Sequence, residues 1–155
     1  MARIDFNVVI MHGKDEEYRK VEGLIRKLKF NPIVIKDNFS GDFLLKKVRK
    51  TVWKLAHCAI IVMTPDDQSI DKAYRARQNV IFELGYCLAA FDTLPNKYWY
   101  HAVIIIKEDS VEGFSDIHGL ETFNYSKKIS RSDLNKLSDV LNRTFEKASE
   151  YYEEL

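Results

Sequence analysis

Short apolar segments alternate with amphipathic ones along most of this 155-residue chain. Continuous, β-branched apolar runs such as FNVVIM (6–11) and CAIIVM (58–63) are typical of strands buried on both faces of a parallel sheet. Between these runs, apolar residues recur at helical spacing and leave the opposite face polar. The pattern predicts strands over 6–11, 31–35, 58–63, 101–107 and 121–125, and helices over 15–29, 42–55, 79–91 and 131–154.

This alternation predicts one α/β domain over residues 1–155, with a mostly parallel five-stranded sheet between two layers of helices. Right-handed crossovers and the flavodoxin-like strand order 2-1-3-4-5 are the default for such a chain. Ligands of these sheets bind outside the carboxyl ends of the strands, where the strand order reverses. We therefore expect a crevice between HGKD (12–15), after the first strand, and TPDD (64–67), after the third.

The composition narrows the class of protein. The chain is 46% apolar and 30% charged, with 24 basic against 23 acidic residues, a balance that argues against a dedicated nucleic-acid binder. Its apolar runs are far shorter than the roughly 20 residues of a membrane helix, and its first residues do not form a signal peptide. We expect a cytoplasmic protein that binds neither membranes nor nucleic-acid polymers. Cys58 and Cys87 lie in apolar segments and are expected to be core residues in a reducing compartment.

One acidic residue does not fit its surroundings. Glu83 lies within NVIFELGYCLAAF (79–91), an apolar run with no basic residue. Burying an ionised carboxylate without a partner costs several kcal/mol, as an order of magnitude, or raises its pKa. Either this helix exposes a narrow polar stripe or Glu83 has a chemical function.

Arg75, Asn79 and Glu83 are spaced four residues apart, so that a helix extending back to Arg75 would align them on one face. A guanidinium, an amide and a carboxylate in a row suit a ligand with phosphates and a sugar, and the backbone N–H groups of HGKD can bind anions. The simpler interpretation is a solvated surface network without a ligand.

Other catalytic motifs are weak or absent. The sequence has no GxxxxGK[ST] phosphate loop, no GxGxxG dinucleotide fingerprint and no GxSxG elbow. Asp66 and Asp67 are explained as turn formers after Pro65. The histidines lack metal-binding spacing, and we expect surface or capping roles for them and no metal site. They are His12, His57, His101 and His118.

Taken together, VVIMHGKD, CAIIVMTPDD, RARQNVIFELGY and SDIHGL resemble, in order and approximate spacing, the bacterial TIR-like (Toll/interleukin-1 receptor-like) nucleotide-binding domains. Such domains occur in anti-phage effectors of cyclic-oligonucleotide signalling, including TIR–STING fusions. The resemblance covers about residues 6 to 125 and implies cleavage of NAD⁺ to nicotinamide and ADP-ribose or a cyclic relative. It also implies activation by self-association, and it makes Glu83 the essential glutamate.

The same resemblance implies the remaining site residues. The substrate would be bound by His12 and Gly13 after the first strand, Asp67 after the third, and Arg75 and Asn79 on the helix. The resemblance also offers Arg77 as a candidate, and it implies that Phe39 or Ser40 would reach a neighbouring subunit. No cofactor is implied, because NAD⁺ is the substrate.

Two alternative functions and one question about the last helix stay open at this point. Glu83 could belong to a non-catalytic TIR module that binds nucleotide or assembles partners, or to a nucleoside deoxyribosyltransferase in which a glutamate is the nucleophile. The last helix keeps its periodicity to the final residue, which suggests an excised domain normally followed by a cyclic-nucleotide sensor domain. An ordinary terminal helix explains the same pattern.

Overall fold

A computed structural model describes residues 4–35, 41–54, 56–92, 102–113 and 119–153. Within these ranges the chain forms four α-helices and seven β-strands. The helices are α1 (Tyr18–Lys27), α2 (Gly41–Lys54), α3 (Gln78–Phe91) and α4 (Arg131–Glu153). The strands are β1 (Asn7–His12), β2 (Asn31–Val34), β3 (Cys58–Met63), β4 (Asp67–Gln68), β5 (Tyr74–Arg75), β6 (Val103–Glu108) and β7 (Glu121–Tyr125).

Five of the strands form a parallel sheet in the order β2-β1-β3-β6-β7. The central strand β3 is buried along its whole length, and β1 and β6 are buried over most of theirs. Their β-branched side chains suit a sheet covered on both faces, and each fully buried aliphatic side chain contributes about 1.5–3 kcal/mol. The predicted flavodoxin-like order is therefore confirmed.

The helices form the two outer layers. Helix α1 contacts β1, β2 and α4, whereas α3 contacts β1, β3 and α2. Val21 and Ile25 are the fully buried positions of α1, and α3 buries Val80, Leu84 and Phe91. These three residues form the apolar face with which α3 packs on the sheet. Cys58 and Cys87 are both free thiols buried in this core, as expected.

The strand and helix bounds agree with the sequence prediction to within a few residues, with two informative exceptions. Helix α1 begins at Tyr18 because the Asp15 carboxylate accepts the Glu17 N–H at 3.0 Å and holds a turn before the helix. Residues 67–75 contain an antiparallel hairpin, β4–β5, which the sequence pattern did not predict. This hairpin changes the position of one predicted site residue.

Among the residues that the structure describes, no helix is long and apolar enough to cross a lipid bilayer.

Candidate functional site

The carboxyl ends of β1 and β3 meet at the point where the strand order reverses. His12, the last residue of β1, pairs with Val62 near the end of β3, so the two strands end side by side. From there β1 continues into α1, and β3 continues through the β4–β5 hairpin into α3. Both helices contact β1, and α1 also contacts α4 whereas α3 also contacts α2, so the loops after β1 and β3 lie next to each other at the predicted position of the crevice.

The Asp66 carboxylate joins these two loops. It accepts the Lys14 backbone N–H at 3.2 and 3.1 Å through its two oxygens, and the buried Thr64 hydroxyl donates to Oδ1 at 2.8 Å. The Asp66 N–H in turn donates to the Thr64 carbonyl at 2.8 Å. The segment predicted as a simple turn is therefore the bridge between the exits of β1 and β3. The Lys14 N–H, which was predicted to bind a ligand anion, is bonded to this carboxylate.

Gly13 is buried beneath this bridge. A Cβ atom at this position would lie 1.7 Å from Asp66 Oδ2 and 2.7 Å from Thr64 Oγ1. Only a residue without a side chain allows the carboxylate to come this close to the backbone. The fit between Gly13 and Asp66 fixes the path of the chain after β1.

The His12 imidazole is held by its own loop and by α1. Its Nδ1 lies 2.7 Å from the Gly13 carbonyl oxygen, and its ring stacks on Tyr18 with centroids 3.7 Å apart. Because a carbonyl oxygen can only accept, this contact places the ring proton on Nδ1. His12 is thus a half-buried, oriented imidazole at the crevice.

Glu83 lies in the second turn of α3 and is only 4% exposed. One turn further along the helix, Cys87 Sγ lies 3.6 Å from Met11 Sδ, which places this face of α3 against the end of β1. Burial raises the pKa of the Cys87 thiol, and the nearby charge of Glu83 raises it further. The question raised by the sequence therefore has an answer: Glu83 is a buried carboxylate beside the end of β1, and it does not lie on an exposed stripe.

The placement of Arg75 on the helix was wrong. Arg75 lies in β5, paired with Asp67 of β4, and α3 begins three residues later at Gln78. Arg77 has the extended backbone of a residue before a helix, with ψ 139°, so the helix cannot continue back to Arg75. The Arg75 Nε donates to Glu112 Oε2 at 2.6 Å, and both side chains are about half exposed, at 51% and 50%.

The other predicted binding residues lie around the same edge of the sheet. Asp67 begins β4 and forms a 3.7 Å ion pair with the Lys14 side chain. Asn79 is exposed in the first turn of α3, so it does not share the buried environment of Glu83. Phe39 and Ser40 lie outside the described residues.

Two further buried glutamates have structural partners. Glu17 Oε2 accepts the Ile129 N–H at 2.7 Å and the Lys20 ammonium at 2.8 Å. Glu108 accepts the N–H and hydroxyl of Ser110 and the N–H of Lys127. These two carboxylates organise loops, and they provide controls for Glu83.

Sequence reasoning missed Asp66 and Glu112. The available signal for Asp66 was its position directly after a buried strand, opposite a loop containing a glycine. Nothing in the sequence pattern predicted a role for Glu112, because its contact with Arg75 depends on a hairpin whose strands have only two residues each.

The parallel sheet, its strand order and its flanking helices define a flavodoxin-like α/β domain. Solved structures with this fold include a hypothetical protein from Thermus thermophilus (TM-score 0.55, 12% identity, covering 88% of this chain and 33% of that one). A sensor protein from Polaromonas is also similar (TM-score 0.52, 14% identity, covering 94% and 99%). At these identities the likeness shows the fold alone.

Residues 7–127 match the family described as "CAP12/Pycsar effector protein, TIR domain", and the chain belongs to this family of bacterial TIR effector domains. The resemblance stated from the sequence motifs is thereby confirmed. The chain is also 27% identical over 119 residues to the protein YuaY of Escherichia coli, covering 73% of this chain. It spans 38% of the length of YuaY and 33% of the Thermus protein.

Proposed function

We propose that this domain is an NAD⁺ glycohydrolase that releases nicotinamide from NAD⁺ in anti-phage defence. The observation that carries the proposal is Glu83, a carboxylate only 4% exposed that lies beside the end of β1. Burying a carboxylate costs stability, and such groups occur at functional sites as well as in structural networks such as those of Glu17 and Glu108. Membership of the TIR effector family supports the choice of substrate.

The reaction requires little acid catalysis, because nicotinamide leaves from a pyridinium. The bond between C1′ of the ribose and the nicotinamide nitrogen breaks, and its electron pair returns to the ring. A buried carboxylate stabilises the positive charge that develops on the ribose, and it does so more strongly than it would in water. Water then forms the new bond to C1′ and loses its proton to solvent, which gives ADP-ribose.

The proposed binding residues come from the elements at the carboxyl end of the sheet. His12 and Gly13 form the wall after β1, Asp67 lies on the opposite loop, and Asn79 lies at the start of α3. Arg75 keeps a proposed role in phosphate binding despite its contact with Glu112. Its Nε bond uses one of the five N–H groups of a guanidinium.

The test is nicotinamide release from NAD⁺ at high protein concentration, for the wild type and for Glu83→Gln. The substitution keeps the shape of the side chain and removes its charge, and we expect a loss of at least about 100-fold in rate. The controls are Glu17→Gln and Glu108→Gln, which neutralise two other buried carboxylates, on residues that are 9% and 8% exposed and that bond to loop backbone groups. Thermal melts verify that each variant folds. A folded Glu83→Gln that retains the wild-type rate would refute the assignment.

We also propose that activity depends on self-association, normally controlled by a cyclic-nucleotide sensor domain. Adding folded Glu83→Gln protein to dilute wild type tests this dependence, since the variant supplies partners without catalysing the reaction. We expect the rate per wild-type molecule to rise by mass action. A rate that stays the same with dilution and with added variant would show that the monomer suffices.

A second candidate is transfer or hydrolysis of nucleoside bases, with Glu83 as the nucleophile. A phosphate-binding arginine on the same helix face as Glu83 would favour NAD⁺ over a nucleoside without phosphates, and Arg75 lies instead on the hairpin. Base release from 2′-deoxynucleosides, with NAD⁺ left intact, would identify this activity. If neither substrate reacts although light scattering shows assembly, a non-catalytic binding module is the better description.

A further inference from the structure

We propose that Asp66 is the positioning residue of this site: its carboxylate holds the loop after β1, and through that loop the His12 imidazole, in the geometry that binds the substrate. This inference rests on the proposed function for its kinetic consequence. The contacts on which the inference is based do not depend on that function.

The first step is the number of groups that converge on one carboxylate. Both oxygens lie within 3.2 Å of the Lys14 N–H, and the Thr64 hydroxyl donates at 2.8 Å. Hydrogen bonds to an ionised acceptor are roughly twice as strong as neutral ones. Lys14 belongs to the loop after β1, whereas Thr64 and Asp66 follow β3. The carboxylate therefore fixes the two sides of the crevice relative to each other.

The second step is the close approach at Gly13. Asp66 Oδ2 lies 1.7 Å from the place where a Cβ of residue 13 would be. The carboxylate therefore lies directly against the backbone of the loop, and moving it would release that backbone. Gly13 and Asp66 form a matched pair.

The third step leads from the loop to the imidazole. The Gly13 carbonyl accepts the proton on His12 Nδ1 at 2.7 Å, and Tyr18 stacks on the same ring. When Nδ1 carries the proton, Nε2 is the acceptor of the neutral ring, and this atom is buried in the structure. Because Asp66 fixes Gly13, it also fixes the direction and the tautomer of His12.

A competing role would be occlusion, in which the Asp66 carboxylate only occupies an anion site that a ligand phosphate needs. The two roles predict opposite effects of removing the carboxylate. Loss of a positioning group weakens substrate binding, whereas loss of an occluding anion strengthens it. The Thr64 hydroxyl bond and the contact with Gly13 favour positioning, because a mere occupant of the anion site would need neither.

The first experiment does not depend on any enzymatic activity. It compares wild type, Asp66→Ala, Asp66→Asn and the control Asp109→Ala, an exposed aspartate after β6 at the same edge of the sheet. Hydrogen exchange measures protection of the Lys14 amide, and ¹⁵N NMR reports the His12 tautomer. We expect lost protection and a mixed tautomer in Asp66→Ala, and recovery of both in Asp66→Asn, whose amide oxygen can still accept the Lys14 N–H. Wild-type protection and tautomer in a folded Asp66→Ala would overturn the proposal.

The second experiment measures KM and kcat for NAD⁺ with the same four proteins. We expect KM to rise about tenfold in Asp66→Ala, the usual scale for losing one charge-assisted contact, with kcat changed less than about threefold because Glu83 is retained. Asp66→Asn should recover part of the loss. A KM that falls would establish occlusion and refute positioning. If the wild type itself is inactive, the proposed function fails, and NAD⁺ titration followed by NMR then decides between weaker and stronger binding.

Discussion

Gly13 is the residue at which the smallest possible substitution should have a large effect. In Gly13→Ala the new methyl group would meet the Asp66 carboxylate and the Thr64 hydroxyl, and one side of the crevice must shift. We expect a loss of about 1–3 kcal/mol in the free energy of unfolding, the usual cost of overpacking. Urea denaturation with an unchanged m-value measures this loss.

The chain offers a matched control for this substitution. A Cβ at Gly23, an exposed position of α1, would meet nothing within 4 Å. Gly23→Ala should therefore stabilise the protein by about 0.5–1 kcal/mol through the helix propensity of alanine. If Gly13→Ala is as stable as the wild type, the Asp66 carboxylate does not lie against this loop.

At the scale of single residues, the sequence predicted which side chain is chemically unusual better than it predicted which residues contact one another. Glu83 could be singled out because burying an ionised carboxylate in an apolar run costs free energy. The structure does bury this residue. Asp66 could not be distinguished from an ordinary turn residue, because its role depends on a backbone N–H more than fifty positions away. Contacts across a sheet are set by the fold, and local spacing carries no information about them.

Among the elements, the β4–β5 hairpin is the one that periodicity could not predict. Each of its strands has two residues, which is too short for an alternating pattern to show. It is held by the loop after β6, where the Glu112 N–H donates to the Tyr74 carbonyl at 2.8 Å. Arg75 and Glu112 add the second contact between the same two segments.

Arg75 can therefore serve as a phosphate ligand or only as an anchor of the hairpin, and the pair Arg75→Ala and Glu112→Gln separates the two roles. A half-exposed ion pair contributes about 0–1 kcal/mol, so losing Glu112 should change little. We expect Arg75→Ala to raise KM for NAD⁺ about tenfold, as for a lost phosphate contact, and Glu112→Gln to change KM less than about twofold. Equal increases in both variants would assign Arg75 to the hairpin alone.

At the scale of the whole molecule, the parallel sheet and its strand order could be predicted from the alternation of buried strands and amphipathic helices. Right-handed crossovers leave few arrangements for such a chain, and the observed order β2-β1-β3-β6-β7 is the default one. The contacts that hold the last quarter of the chain to the rest of the domain could not be predicted from the sequence. Two carboxylates distant in sequence hold the link between β7 and α4: Glu17 binds Ile129, and Glu108 binds Lys127.

These two carboxylates make the stability of the molecule dependent on pH. Burial acts to raise the pKa of Glu17, but the hydrogen bonds from Lys20 and Ile129 outweigh it and lower the pKa below the ordinary 4.5. The pKa of Glu108 is likewise lowered, because its bonds to Ser110 and Lys127 outweigh burial. A carboxyl group whose folded pKa is depressed stabilises the protein above its unfolded pKa, and this stabilisation is lost as the pH falls through the folded value.

We therefore expect the melting temperature to fall mainly between about pH 5 and about pH 3, and the hydrogen-exchange protection factors of α4, corrected for the intrinsic pH dependence of exchange, to fall over the same range. Glu17→Gln and Glu108→Gln should each melt lower at about pH 7 and show a smaller further loss at about pH 3, because the titrating group is gone. Glu146→Gln, an exposed substitution on α4, should behave like the wild type. Since Glu83 is not part of this link, the two Gln variants should retain NAD⁺ cleavage wherever they remain folded. A wild-type pH dependence in both Gln variants would show that other groups control the docking of α4.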